Sequence, residues 1–487
     1  MTQNQTGKAG KTGLANQANR ANESAEYFEA RSLKGGTVGA FLLMSLGVAY
    51  VISGDFSGWN YGIAYGGWLG LAIAFVLMGL MYVCTVFGEA EMSSALPTAG
   101  AGYGFARRAM GKFGGFITGL AITIEYVCAP AAISTFIANY FCELGILPAD
   151  FPHIIIIAVA FIVFLAIHII GVGEALKTML VITAIGAVAL VCFVVGAAPS
   201  FDPTNLFDIA PAASDGSTLL PYGASGLLAA LPFGIWFFLG IEGVPLAAEE
   251  ARDPKRDIPR GIIGAMFILV CSGACVLIFA AGVTGADIMG ASAAPLVDAL
   301  NAAGNPALAF FVNVAGLFGL IASFFSLIYA GSREIFALSR AGYLPRVLAL
   351  TGKRKTPYLA LIVQGIVGFL LAAILQDGDI ILNIAVFGAC VSYAMMNLSH
   401  VLLRKNEPDM PRGYRTPGGV VTTSIALVLS VIAIVSTFFV DITAACVVLV
   451  VFVVGSIYFF AYASKHLVAN APEEEFAQLE AAEAELR

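Results

Sequence analysis

Apolar runs of about 20 residues follow one another along almost the whole chain, and each can cross roughly 30 Å of hydrocarbon. Nothing else in the sequence limits the fold so strongly. In lipid only helices and closed barrels satisfy their own backbone polar groups, and runs this long are helical. About twelve spans are predicted, at 37–60, 68–92, 113–142, 153–170, 174–198, 224–250, 260–284, 306–338, 358–376, 380–403, 419–440 and 443–464. Composition agrees: 59% of the 487 residues are hydrophobic and 12% charged. Soluble domains run near half apolar and about a quarter charged. The expected fold class is an all-α polytopic membrane protein.

The connecting segments sort by charge. With the N-terminus placed inside, all 25 Lys and Arg fall in inner segments, from Lys8 through Arg107, Lys177, Arg252, Arg333 and Arg404 to Arg487. The outer segments carry acids only, including Glu143, Asp202, Asp377 and Asp441. This is the positive-inside distribution, and a span gained or lost in the middle would scramble it. Both termini are therefore expected in the cytoplasm of a multi-pass cell inner membrane protein. Residues 1–34 are polar with no apolar leader core and are predicted to be a disordered cytoplasmic tail, and the acidic cytoplasmic segment 466–487 is predicted to be a short, solvated, marginal helix. The eight cysteines form no CxxC and pair with no histidine, which excludes a disulfide framework and a metal site of that type.

Two spans carry an acid between glycines. The first reads "VISGDFSGWNYG", around Asp55, and the sixth "FLGIEGVPLAAEE", around Glu242. They stand at the same ordinal place in two five-span units of opposite orientation, the pattern of an inverted repeat with two broken helices framing a midplane site. The expected division is 35–200 for the first repeat, 201–405 for the second and 406–465 for two peripheral helices. Glycine permits unwinding, and Pro245 removes a backbone donor just beyond Glu242. Each acid has two readings. It is a carboxyl held by freed backbone N–H groups, or it faces a cavity where it pairs with a cation, exchanges a proton, or does each in turn.

At these residues the chain resembles the amino acid–polyamine–organocation transporters. The likeness rests on "FLGIEGVPLAAEEARDPKRDIPRGI", on "LPTAGAGYGFARRAMGKFGGFITG" before and into the third span, and on "YAGSREIFALSRAGYLPR" at the end of the eighth. Within that superfamily "GVAYVISGDFSGWNYG", "IHIIGVGEALK", "NLFDIAP" and "EGVPLAAEEARDP" are most similar to ethanolamine permeases. The resemblance covers about residues 27 to 465. It implies a leucine-transporter-like arrangement, with two inverted five-helix repeats, helices 1 and 6 broken, and two peripheral helices. In amino acid members of the superfamily, bare N–H groups of the broken first helix receive the substrate carboxylate. Asp55 beside that segment would repel a second carboxylate and favour an amine that lacks one. Glu242 falls where similar arginine/agmatine exchangers carry a proton-linked glutamate, and Trp236 matches their substrate-covering aromatic. Gly186 stands where some proton-coupled relatives have a lysine. Ser323 and Ser326 fall where sodium would be bound, although helix serines more often bond their own backbone.

Other polar residues need a place. Glu125 and Tyr126 lie mid-depth in the third span, where Glu125 is a second candidate amine or proton site, and Pro130 is expected to kink that helix. Glu89 and Glu91 near the inner end of the second span are expected to pair with arginines. His168 is expected to be packed, and the directions of Asn313, Tyr393 and Asn397 are open. The loop "EEARDPKRDIPR" is either a solvated junction or a gate of ion pairs.

Together these features predict a secondary active transporter that imports ethanolamine or a closely related small primary amine, coupled to protons, by alternating access. The site residues are Ser53, Gly54, Asp55, Glu125, Tyr126, Trp236, Gly240, Ile241 and Glu242, with Glu242 and Asp55 as proton carriers. The alternatives are an amino acid permease or exchanger of the same fold, an amine-binding sensor that moves nothing, and a passive channel. No phosphate-binding, zinc-protease or nucleophile-elbow motif is present, so an enzyme, a cofactor and a metal are not expected. The expected partners are the amine, protons and the lipid bilayer, without nucleic acid; the oligomeric state is open.

Overall fold

Among the described residues the chain is helical and contains no strand. Eleven helices are long and apolar enough to cross a membrane, and a shorter apolar stretch, Ala40–Phe56, supplies the first of twelve spans. The computed structural model describes residues 36, 38–97, 100–148, 151–170, 172–352 and 355–468. The N-terminal tail, nearly all of the acidic C-terminal tail, Lys353, Arg354 and the side chain of Lys177 lie outside the described residues.

The first span is α1 (Ala40–Val51) followed by the single turn α2 (Ser53–Phe56). Next come α3 (Tyr61–Ala95), α4 (Ala101–Glu143), α5 (His153–Ile170) and α6 (Val172–Ala197). The sixth span is α7 (Gly223–Trp236), and beyond its break a 3₁₀ segment runs over Ile241–Glu250. It is followed by α8 (Pro254–Thr284), two short helices α9 (Ala286–Ala291) and α10 (Pro295–Ala302), and α11 (Pro306–Ala341). The last four spans are α12 (Tyr358–Leu375), α13 (Gly378–Asn406), α14 (Val420–Ser436) and α15 (Ile442–Ala461).

Several boundaries move outward from the sequence expectation. The third span starts at Ala101 rather than 113 because Gly111, at φ +77°, joins a segment on the arginine side to the spanning helix. Within α4 Gly111 is where the angles leave the helical range, while Pro130, expected to kink the helix, sits inside it without breaking it.

The two breaks differ. In the sixth span α7 stops at Trp236, the chain turns through Gly240 at φ +102°, and the 3₁₀ segment resumes. Only glycine takes that angle without strain. In the first span Ile52 and α2 keep right-handed helical angles through Asp55, and the interruption comes after it, at extended Ser57 and at Gly58 with φ +93°.

Spans of the two halves pack reciprocally. The first lies along the seventh as the sixth lies along the second, and the third lies along the tenth as the eighth lies along the fifth. That exchange under a shift of five is what two interlocked repeats would produce. The core they build is aromatic: Tyr50, Phe56, Trp59, Tyr82, Tyr126, Phe136, Tyr140, Tyr329 and Tyr393 are all fully buried.

Candidate functional site

Glu242 follows the sixth-span break directly. The turn at Gly240 throws its side chain toward α4 and α13, where it is 5% exposed. Tyr126 of α4 donates to its Oε1 at 2.8 Å, and Tyr393 of α13 lies 3.0 Å from its Oε2. The Tyr393 hydroxyl is also 3.3 Å from Glu125 Oε1 and accepts from Tyr82 of α3 at 2.8 Å. Glu125 is fully buried, its Oε2 has no hydrogen-bond partner, and its Oε1 shares the Tyr393 hydroxyl with Glu242. Among the described residues no Lys, Arg or His is hydrogen-bonded or ion-paired to either acid. Two buried carboxyls bridged by a single hydroxyl cannot both stay charged and alone; a proton held by the pair, or a cation beside it, resolves the repulsion.

Tyr50 closes one wall. Its ring and the Tyr126 hydroxyl crowd Gly243, where a Cβ would sit 2.9 Å from the Tyr50 ring. The Tyr50 hydroxyl is buried without a partner.

Asp55 is elsewhere. It is 1% exposed and faces α8, where a Cβ at Gly273 would lie 3.4 Å from Oδ1. Ser272 supplies the adjacent hydroxyl, but that proton goes to the Leu269 carbonyl at 3.2 Å, and both Asp55 oxygens are left without a hydrogen bond. Phe75 and Phe237 fill the same corner, with ring centroids 5.0 Å apart. The expected site therefore separates into two parts. Glu125, Tyr126, Gly240, Ile241 and Glu242 come together, whereas among the described residues no hydrogen bond or ion pair joins Asp55 to them.

The remaining first-span residues form the seam between the parts. Gly54 has no room for a side chain, because a Cβ would lie 2.5 Å from the Trp236 carbonyl oxygen. The Ser53 N–H donates to Ser323 Oγ at 3.0 Å, and that hydroxyl donates to the Ala49 carbonyl at 2.7 Å. The Asp55 and Ser57 N–H groups bond Ile52 and Ser53 carbonyls. Three N–H groups of this segment are thus already satisfied. Trp236 donates from Nε1 to the Ser57 carbonyl at 2.9 Å and meets Phe136 edge-on at 6.0 Å. On the far side of that aromatic pair a cleft of about 510 Å³ opens between Tyr61, Thr135, Asn139, His153, Gln376 and Asp377.

The arginine side is sealed by ion pairs from the loop "EEARDPKRDIPR". Arg333 reaches Glu250 at 3.0 Å, Arg340 reaches Glu249 at 2.7 Å, and Val38 pairs with the backbone on both sides of Ala251. Glu91 behaves as expected, with Arg404 at 2.6 Å and Arg412 at 2.9 Å. Glu89 does not: it is 1% exposed, neither carboxyl oxygen has a partner, and it lies within electrostatic reach of Glu242. His168 is packed, stacked on Phe325 at 3.8 Å with Nε2 against that residue's carbonyl. Apolar patterning singles out neither Tyr50 nor Tyr82, and it gives Tyr393 no direction. The signal that was available is the i, i+3, i+7 spacing of Tyr82, Thr85 and Glu89 along one apolar helix.

A broken sixth helix beside a paired-acid pocket, inside twelve spans, fits the family that the motifs resemble, and comparison with known proteins decides it. The family model for amino acid permeases matches residues 41–467. The chain belongs to the amino acid permease family. An uncharacterized transporter of Rhizobium meliloti is 30% identical over 395 residues, covering 79% of this chain and 83% of the relative. The branched-chain amino acid permease BcaP of Bacillus subtilis is 26% identical, covering 89% and 94%. A methylthioribose transporter of Bacillus subtilis is 26% identical, covering 78% and 84%. Membership makes this amino acid permease relative a multi-pass membrane transporter of a small organic solute and not an enzyme. None of these relatives is named for ethanolamine.

Proposed function

We propose that this amino acid permease family member is a proton-coupled secondary transporter for a small primary amine, ethanolamine being the cargo to test first. The observation that carries the reading is the buried Glu125–Glu242 pair, which has hydroxyl donors but no cation of its own. An ammonium group arriving between the carboxyls supplies the missing charge and displaces a shared proton. Tyr126 and Tyr393 then offer hydroxyls to an alcohol group on the cargo. The satisfied N–H groups at Ser53, Asp55 and Ser57 leave a cargo carboxylate less to bind in the first span. Asp55 places a buried, unpaired carboxyl close to that segment, which in its ionised form disfavours a zwitterion and is not a direct ligand of the amine.

A second reading is an amino acid cargo. The family and the name of the BcaP relative, which points to branched-chain amino acids, favour it over ethanolamine. An α-ammonium would still meet the Glu125–Glu242 pair, and the carboxylate would require the first span to open.

Uptake into proteoliposomes under an imposed pH gradient separates the two. Labelled ethanolamine and labelled leucine are offered in parallel, each challenged with the other and with longer amines. Ethanolamine uptake that rises with the gradient and resists leucine supports the first reading. Leucine uptake that resists ethanolamine replaces it with the second. The closest amines will be hard to rank, since one methylene contributes only about 1–3 kcal/mol in a pocket.

A further inference from the structure

Between α3 and α13 a stripe of polar side chains runs from the acid pair toward the arginine side. Its first rung is Tyr82 against Tyr393, hydroxyl to hydroxyl at 2.8 Å. Its second is Thr85, whose hydroxyl accepts from Asn397 Nδ2 at 2.9 Å, one turn further along both helices. Asn397 also holds the Tyr393 carbonyl at 2.8 Å, which ties the two rungs together. The last rung is His400, whose Nε2 is 3.3 Å from Glu91 Oε2 in the ion-paired cluster of Arg404 and Arg412.

Glu89 occupies the gap between the second rung and the last. It follows Tyr82 by seven residues, two helical turns, and so lies on the same face about 10 Å nearer the arginine side. That face is the one turned to the sixth span: the Tyr82 ring packs on Phe238 at 5.4 Å, and a Cβ at Gly79 would meet the same ring at 3.4 Å. One residue earlier, a Cβ at Gly88 would lie 3.7 Å from the His400 ring. Glu89 therefore lies on the face turned to the sixth span, at the level where the neighbouring Gly88 packs on His400. Its carboxyl is buried with no hydrogen bond, although Glu91, two residues on, is gripped by two arginines.

We infer that Glu89 is the relay through which the proton leaves the Glu125–Glu242 pair for the arginine side. The inference rests on the proton-coupled reading above. Buried without a partner, Glu89 rests as the neutral acid. Its own O–H bond breaks first, as its proton leaves past His400 and Glu91 to the arginine side. The ammonium then takes the place of the pair's proton: the O–H bond of the protonated carboxyl breaks and a new O–H bond forms on Glu89, which restores the neutral acid. Glu242 and Glu125 are acids within electrostatic reach of Glu89, and among the described residues no Lys, Arg or His is hydrogen-bonded or ion-paired to it. Glu89 touches no cargo in this scheme, so its loss uncouples rather than blocks.

The test is carried out on the full-length chain in proteoliposomes, with Glu89→Gln and Glu89→Asp beside wild type and with whichever of ethanolamine or leucine wild type accumulates. Two rates are read: counterflow with equal pH on both sides, and accumulation driven by a pH gradient. The expected result for Glu89→Gln is counterflow within about twofold of wild type and driven accumulation at least tenfold lower, with Glu89→Asp recovering most of it. Driven accumulation that survives in Glu89→Gln overturns the relay. Counterflow and driven uptake falling together, unrescued by aspartate, also overturns it and assigns Glu89 to packing. If wild type itself ignores the pH gradient, the proton-coupled reading has failed first, and a cargo preference measured in the same vesicles still stands.

Discussion

Glu242 and Glu250 lie eight residues apart at opposite ends of one 3₁₀ segment, both buried, and they are partnered in opposite ways. Glu250 Oε1 accepts from the Tyr329 hydroxyl at 2.6 Å and from Arg333 at 3.0 and 3.2 Å, with the guanidinium stacked over the Tyr329 ring at 3.5 Å. Glu242 receives two tyrosine hydroxyls and a neighbouring acid. Charges taken out of water are stable only when paired and fully hydrogen-bonded. The Glu250 end therefore carries its own counter-charge and closes one side of the molecule. The Glu242 end lacks one and is completed by something that arrives. One short segment thus joins a lock to a site, which suits a carrier that must not open on both sides together.

The sharpest way to break this contrast is to take the counter-ion from the locked end. Glu250→Ala leaves Arg333 buried and unpaired, and the expected loss is about 3–5 kcal/mol of stability. It reads out as a large drop in melting temperature in detergent. Replacing both partners by apolar residues of similar volume should recover most of that drop. If Glu250→Ala melts like wild type, the pair is no lock. At the site end the signs exchange. Glu242→Gln removes a charge that has no internal partner, so the melting temperature should hold or rise, while uptake falls by an amount equivalent to about 2–5 kcal/mol. A variant that melts early would show Glu242 to be as structural as Glu250.

Tyr393→Phe tests the hub between the two acids. It deletes the hydroxyl that contacts both Glu242 and Glu125, and a hydrogen bond to a charged group contributes about 1.5–3 kcal/mol. The expected outcome is a loss of uptake smaller than that of Glu242→Gln, with apparent affinity more affected than maximal rate. Equal losses of rate for all cargoes, at unchanged affinity, would place Tyr393 in the packing instead.

Why one half of this site was legible and the other not follows from where the information lies. Twelve spans, the second break and Glu242 were readable because acids and charged loops stand out against an apolar background. Glu125 and Tyr126 stood out for the same reason, and they do meet Glu242. Direction was not readable. A helix apolar on every side gives no periodicity to say which stripe faces inward, so spacing puts Tyr82, Thr85 and Glu89 on one face without aiming that face, and it leaves Tyr393 without a direction. The glycine-flanked acids looked equivalent, yet the first-span break lies after Asp55, at Ser57 and Gly58, and leaves that carboxyl against Gly273. Equivalent spelling produced different backbones because Ser323 and Trp236 hold the first span from outside.

Trp236 provides the smallest effect and the finest division between lock and site. Its indole N–H to the Ser57 carbonyl at 2.9 Å closes the seam against the 510 Å³ cleft, while its face packs on Phe136. Trp236→Phe keeps an aromatic face and removes one neutral hydrogen bond, about 0.5–1.5 kcal/mol. A seam that opens more easily should raise the rate of counterflow a few-fold at saturating cargo and weaken apparent affinity by a similar factor. Gly58→Ala should act in the same direction, because a Cβ there would lie 2.6 Å from the indole nitrogen and 3.1 Å from Phe136, on a backbone already at φ +93°. Agreement between two variants that share no side chain would identify the seam as the element that moves. If Trp236→Phe is silent while Gly58→Ala is not, the backbone turn alone sets the closure and the indole is a packed aromatic.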